Sequence, residues 1–319
     1  MNRFVRQLLP FGTLILLIAI LSALEPDSFL TAENFFNVLS RSGVNGIVAM
    51  GMTAVIISGG IDLSVGSMMA VAGMVAGLIM TKDGTLVPTP GLMWIGTLAG
   101  LATGLFCGLL NGVLITGLNL PPFIVTLGTM SAFRGICYVM NEGMMFDVPT
   151  YTFLGQSTVA NIPVNVLIFL AIALIAFFIL RYMPLGRYTY AIGSNREAAH
   201  HAGVNVNRNL LIVYTLTGLF VGLAAMIATS RTVSAQPTAG VSLELDTIAA
   251  VVIGGASLSG GRGTIVGTII GTLLISFLRN GLTLQQISSD IQLIVIGGII
   301  IGAVALDQMA RKRAAENRG

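Results

Sequence analysis

The chain has 319 residues, 55% of them hydrophobic and only 9% charged, with a formal net charge of +3 and a mean hydropathy of +0.90. A soluble domain carries about 25% charged residues, so the composition excludes one and places the chain in lipid. The small positive charge calls for no nucleic acid, the acids are too scattered for a paired-carboxylate site, and Cys107 and Cys137 sit inside apolar runs where they define neither a disulfide framework nor a metal site.

Taken in order, the apolar runs predict about ten membrane crossings in an all-α polytopic protein that forms a single transmembrane domain over 1–319. The first is Leu8–Leu24, read as an uncleaved span and not as a secretory signal because many further spans follow. Ser28–Arg41 reads as an amphipathic segment along the outer surface. Val44–Ser58 and Ser64–Met80 form a pair around Gly59-Gly60-Ile61-Asp62-Leu63, followed by Leu92–Leu118, Phe123–Met140, a polar loop 141–162 and Val164–Leu180. Beyond the central loop come Leu210–Thr229, a polar segment over 230–246 expected on the periplasmic side, then Thr247–Ser257, Thr264–Phe277 and Ile291–Leu306.

The basic residues orient this array. Arg3, Arg6, Arg181, Arg187, Arg196, Arg208, Arg262, Arg311, Lys312, Arg313 and Arg318 fall on one side, against Arg41, Lys82, Arg231 and Arg279 on the other. The richer side is cytoplasmic, which puts both termini inside.

The long polar interruption at 181–209 belongs to that side. It is more structured than a spacer: Asn195 is placed to cap a helix through Arg196–Ala202, and Gly203 to end it. A short helix held on the cytoplasmic face reads as a docking surface.

Two segments are oddly built. Thr247–Ser257 would be only about 16 Å long as a helix, too short for a hydrocarbon core of about 30 Å, and Val44–Ser58 also reads as short. Both break at an apolar run, Gly-Gly, two residues, then Leu-Ser-x-Gly, first around Gly59 and again around Gly254-Gly255. Interrupted segments in corresponding places point to a translocation pathway built on an internal repeat. Plain hairpins with glycine-rich turns would give the same pattern.

Asp62 lies between apolar runs with no basic neighbour. An acid there either binds a proton or caps the following helix by accepting the Ser64 or Val65 amide. Arg134, inside an apolar run, has no local partner; an acid across the bundle, a polar cavity and a displaced span end each fit it. The stripes Gly100, Gly104, Gly108, Gly112 and Gly263, Gly267, Gly271 read as close helix packing. Gly255–Thr264 lacks the Gly-Lys-Ser/Thr ending of a phosphate loop, so energised transport would draw on an ion gradient or on a partner. Asn111, Ser64 and Asp62 are the candidate polar groups of a pathway.

Several longer motifs carry a family likeness: Gly60-Ile61-Asp62-Leu63-Ser64-Val65-Gly66, Leu185–Gly193, Gln236-Pro237-Thr238-Ala239-Gly240, Glu244–Val252 and Gly254–Gly261. From about Leu30 to Leu306 the sequence resembles the membrane permease of ribose-type ABC importers. The resemblance implies a pair of permease copies, identical or not, above two ATPase subunits that hold the ATP and magnesium, with a periplasmic sugar-binding protein outside. It also implies no cofactor in this chain and no enzyme activity of its own. It makes 181–209 the cytoplasmic coupling loop, with Ala191–Gly203 in a groove of the ATPase and Gly193, Asn195, Glu197, Ala198, Ala199 and Gly203 at the motif positions. Gln236, Pro237, Thr238 and Gly240 would lie where the loaded binding protein docks, and sugar would enter near Asp62 and Gly254-Gly255 by alternating access. Ribose is the nearest substrate in that family, which also carries other pentoses and hexoses. The alternative from another class is a proton-coupled secondary transporter using Asp62 and Asp246.

Overall fold

The computed structural model describes residues 3–82 and 88–316; Arg318, one of the cations expected inside, lies outside them. The described chain is helical almost throughout, in the order α1 (Arg3–Leu24), α2 (Pro26–Phe29), α3 (Ala32–Ile57), α4 (Val65–Met80), α5 (Pro90–Gly117), α6 (Pro122–Met140), α7 (Val164–Tyr182), α8 (Pro184–Ser194), α9 (Arg196–His201), α10 (Val206–Thr232), α11 (Leu243–Ile253), α12 (Ile265–Leu284) and α13 (Ser289–Glu316). Among the described residues α3, α5, α6, α7, α10 and α12 are long and apolar enough to cross a membrane, while Phe11–Leu24, Val65–Met80 and Ser289–Ala305 are shorter apolar stretches. All ten apolar runs fall on helices. Only α11, at 11 residues, is as short as its run implied.

The first half of the chain departs from expectation at one place. Ser28–Arg41 and Val44–Ser58 are not a surface helix and a short span: 32–57 is one helix of 26 residues, about 39 Å long at 1.5 Å per residue. Thr31 caps it, accepting the Asn34 amide at 3.1 Å. Ser40-Arg41-Ser42 interrupts the apolar pattern without breaking the helix because its polar groups find partners. Ser42 donates back to the Val38 carbonyl at 2.7 Å, and the Asn165 amide of α7 donates to both the carbonyl and the hydroxyl of Ser40.

Helices α3, α4 and α10 form the middle of the bundle, where Met50, Met52, Met68, Met74, Tyr214 and Met226 are fully enclosed. The most apolar stretch of α3 is 78% buried, against 28% for α6, so α3 is central and α6 peripheral. The glycine stripes act as packing surfaces. On α5, a Cβ at Gly104 or Gly108 would strike the backbone of Gly218 on α10, and one at Gly100 would strike Met226; only bare backbone lets these two antiparallel helices come so close. Gly267 and Gly271 on α12 bring it equally near the backbone of Gly254 and Ala250. The loop at 141–162 folds over one end of the bundle. Its strand β1 (Phe146–Asp147) pairs antiparallel with β4 (Ser234–Ala235), and β2 (Thr158–Val159) pairs with β3 (Ile162–Pro163).

Candidate functional site

Both predicted breaks are present, and they begin with the same cap. At the end of α3, Gly60 N–H donates to the Val55 carbonyl and Gly59 N–H to Ile56, each at 3.0 Å. At the end of α11, Ala256 N–H donates to Val251 at 3.1 Å and Gly255 N–H to Val252 at 2.9 Å. This doubled bond is the Schellman closure, with a left-handed residue just past the last turn; Gly59 has φ +83° and Gly255 φ +93°. The equivalence Gly59 to Gly255 is displaced by one residue from the sequence pairing, which had set Gly59-Gly60 against Gly254-Gly255. Gly254 has another duty, because a side chain there would run into Gly267.

After the first cap the chain turns around Asp62. Its Oδ1 accepts the Ser64 amide at 2.9 Å and the Ser64 hydroxyl at 2.6 Å. Asn111 of α5 donates to that same hydroxyl at 2.8 Å, and Thr126 of α6 donates to the Ile61 carbonyl at 3.2 Å. The structure therefore brings Asp62, Ser64 and Asn111 together, and all three are wholly enclosed. Asp62 supports the start of α4 as a cap would, but through Ser64, which is itself the N-cap. Asp62 Oδ2, Asn111 Oδ1 and the Tyr214 hydroxyl have no hydrogen-bond partner. Asp246, the other acid a proton carrier would need, is paired with Arg279 at 2.7 Å. Among the described residues no three His, Cys, Asp or Glu side chains gather as a metal would require.

The second break closes on itself through backbone: Ser257 N–H to the Arg262 carbonyl at 3.0 Å and Gly260 N–H to Ser257 at 2.9 Å. It then reaches the first break. Gly261 N–H donates to the Ile57 carbonyl at the end of α3 at 2.8 Å. A Cβ on Gly260 would lie 2.7 Å from the Gly193 carbonyl and 3.0 Å from Gly59 Cα, and one on Gly193 would collide with the Ile57 carbonyl and with Gly261 N. Gly193 thus sits where both breaks meet. Tyr190, one turn earlier on α8, donates to the Gly263 carbonyl at 2.8 Å. Burial pushes its phenol up, with Arg181 pulling the other way, so the group stays a donor.

The predicted short helix follows directly. Asn195 Oδ1 accepts the Ala198 amide at 2.9 Å, α9 runs over Arg196–His201, and Gly203 ends it at φ +84°. Ala199 faces inward, packed in a cluster with Ile192, Val206 and Leu210. Asn195, Glu197, Ala198 and Gly203 are exposed, and Glu197 and Gly203 line an open concavity shared with Arg196, His200 and Asn205.

Gln236, Pro237, Thr238 and Gly240 occupy a less expected position. A Cβ at Gly77 of α4 would meet Ala235, and one at Gly66 would meet the Gly240 carbonyl. The chain between therefore runs down α4 for 11 helical residues, or about 16 Å. Arg134 finds its partners here. Its guanidinium donates to the carbonyls of Pro237 and, at 2.9 Å, Ala239, so it meets backbone and not an acid. Sequence reasoning missed this contact, although Gly66 and Gly77 stand three turns apart on one face of α4 and mark where a chain lies close.

A bundle of apolar helices with two interrupted segments joined to an exposed short helix is the build of a membrane permease. The chain belongs to the family described as branched-chain amino acid transport system / permease component, whose model matches residues 34–304. Within that breadth its relatives include sugar permeases. It is 44% identical to the ribose import permease protein RbsC of Bacillus subtilis, over 97% of this chain and 94% of the relative. It is 41% identical to the protein of that name from Haemophilus influenzae, over 96% and 94%, and 38% identical to the D-allose transport system permease protein AlsC of Escherichia coli, over 95% and 91%. No solved structure matches the chain.

Proposed function

We propose that this chain is the multi-pass inner-membrane permease of an ABC importer that carries a monosaccharide, ribose or a close relative, into the cytoplasm. The observation that carries the reading is end-to-end similarity to ribose import permeases at 41% and 44% identity, above that to the D-allose permease. ATP is hydrolysed by a separate ATPase, and a periplasmic binding protein delivers the sugar. Two permease copies span the membrane together, each with ten crossings and both termini inside.

The geometry supports a coupling route. Glu197 and Ala198 on the open side of α9 meet the ATPase, while Ala199 and Ile192 lock α9 and α8 to the foot of α10. When the ATPase subunits close, α8 and α9 move as one piece. Gly193 is wedged between Ile57 and Gly261, so that displacement reaches both breaks without passing through any flexible linker. The helices that follow, α4 and α12, then tilt to open the outer side, and hydrolysis resets the inward state. Asp62, Ser64 and Asn111 hold the first break in shape during this movement, and the outer end of the 230–246 segment receives the binding protein.

The test is to express the permease with the ATPase from its own operon, extract both in detergent and recover them through a tag on the permease. Wild type is expected to hold the ATPase and, with the binding protein in proteoliposomes, to take up ribose on ATP. Glu197→Arg is expected to lose the ATPase. Failure of wild type to hold any ATPase under conditions that keep it folded would sink the import reading.

A further inference from the structure

The chain from Val233 to Ser242 lies along α4 without forming a helix. Ala235 lies at Gly77 and Gly240 at Gly66, joined by successive turns in which Ala239 N–H donates to the Gln236 carbonyl at 3.1 Å and Val241 N–H to Thr238 at 3.3 Å. Both ends are held by non-glycine residues in the left-handed region, Val233 at φ +48° and Ser242 at φ +65°. For a β-branched residue such as Val233 this is a costly conformation, kept only where the surroundings impose it.

Non-helical backbone at membrane depth survives where it is buried in protein or lines a water-filled cavity, and not against lipid. One side of this strip is covered: α4 lies behind it, and Arg134 of α6 takes two of its carbonyls. The other side is open. Thr238 is exposed, and Val241 is 64% exposed.

The groups along the strip suit a polyol. Arg134 spends Nη1 on the two carbonyls, which leaves three N–H donors of its guanidinium without a hydrogen-bond partner among the described residues. Gln236 adds an amide and Thr238 a hydroxyl. The Glu244 carboxylate lies against Gly66 at the inner end, within electrostatic reach of Arg134 but outside salt-bridge distance. Carboxylate, guanidinium, amide and hydroxyl within one short strip offer a sugar hydroxyl both donors and acceptors.

We infer that Gln236–Gly240, with Arg134 and Glu244, is the sugar-contacting wall of the translocation pathway and not a surface for docking the binding protein. The inference rests on the sugar-import reading above. The strip replaces part of the water around the sugar during transit, and Arg134 also fixes its turns by taking the Pro237 and Ala239 carbonyls.

The experiment uses the complete transporter, with its ATPase and binding protein, in proteoliposomes. Thr238→Val and Glu244→Gln are expected to lower ribose uptake about tenfold, the size of one lost charged or well-placed hydrogen bond, while ATP hydrolysis stimulated by loaded binding protein stays within about twofold of wild type. Thr238→Cys is expected to react with a membrane-impermeant maleimide and to be slowed by free ribose; the native Cys107 and Cys137 are buried. If stimulation of the ATPase falls in step with uptake, the strip is a docking surface and the inference is wrong. Unchanged uptake in both variants overturns it, as does Thr238→Cys that resists the maleimide and instead cross-links two permease copies. A wild-type transporter that takes up no ribose defeats the sugar reading itself, before any variant is compared.

Discussion

The two helix breaks share a cap but are filled differently. Between α3 and α4 lie seven residues, 58–64, knotted by Asp62, Ser64 and Asn111 with no exposure at all three. Between α11 and α12 lie eleven, 254–264, closed by backbone bonds and glycine contacts, with Gly255 and Ser259 exposed. A carboxylate network buried away from water fixes its neighbours in one geometry. A glycine-rich loop has little to hold it beyond the helices it touches. The first break is thus expected to be the stiffer of the two, and both rest on Gly193. A push on α8 is expected to displace the second break relative to the first.

The largest effect is expected from separating the breaks at their meeting point. Gly193→Val forces a side chain into the Ile57 carbonyl, a clash worth about 1–3 kcal/mol in a packed interior. Uptake should fall by about two orders of magnitude with the ATPase still bound; co-purification and transport measured on one preparation check this. Survival of uptake would mean that the junction carries no coupling.

Next in size, Gly254→Ala should cost about 3 kcal/mol, because its Cβ meets the Gly267 backbone. Gly255→Ala, with open space around it, should cost only the left-handed penalty of about 1–2 kcal/mol. Thermal unfolding in detergent ranks the pair, and the reverse order would undo the one-residue offset between the two caps.

The contrast in filling predicts asymmetric sensitivity. Asp62→Ala leaves the Ser64 amide and hydroxyl short of an acceptor and should destabilise by about 2 kcal/mol. Ser259→Ala in the exposed second break should stay within about 0.5 kcal/mol. Equal losses would argue against a rigid first break and a soft second one. A smaller effect than that of Asp62→Ala belongs to Asn195→Ala, which removes the cap of α9 at about 1 kcal/mol. It should weaken ATPase binding a few-fold, read by titrating purified ATPase onto the permease.

Much of this molecule was legible in its residues because the governing physics is local. Lipid-length apolar runs, the Asn195 cap with Gly203 at the other end of the same short helix, and the glycine stripes for close packing each need only neighbours along one helix. The long motifs around Asp62, Gly193, Gln236 and Gly254 also carried the family, and hence the transport class. The tertiary structure alone decided what depends on distant partners. Asn165 on α7 satisfies Ser40, so α3 runs unbroken through a polar stretch that reads as a boundary. The Gly267 backbone claims Gly254, which shifts the cap of α11 by one residue. Carbonyls more than a hundred positions away claim Arg134, and α4 draws Gln236–Gly240 down into the bundle. The physical reason is common to all of these: hydropathy and capping are written in sequence, whereas the satisfaction of a buried polar group depends on which other segment packs against it.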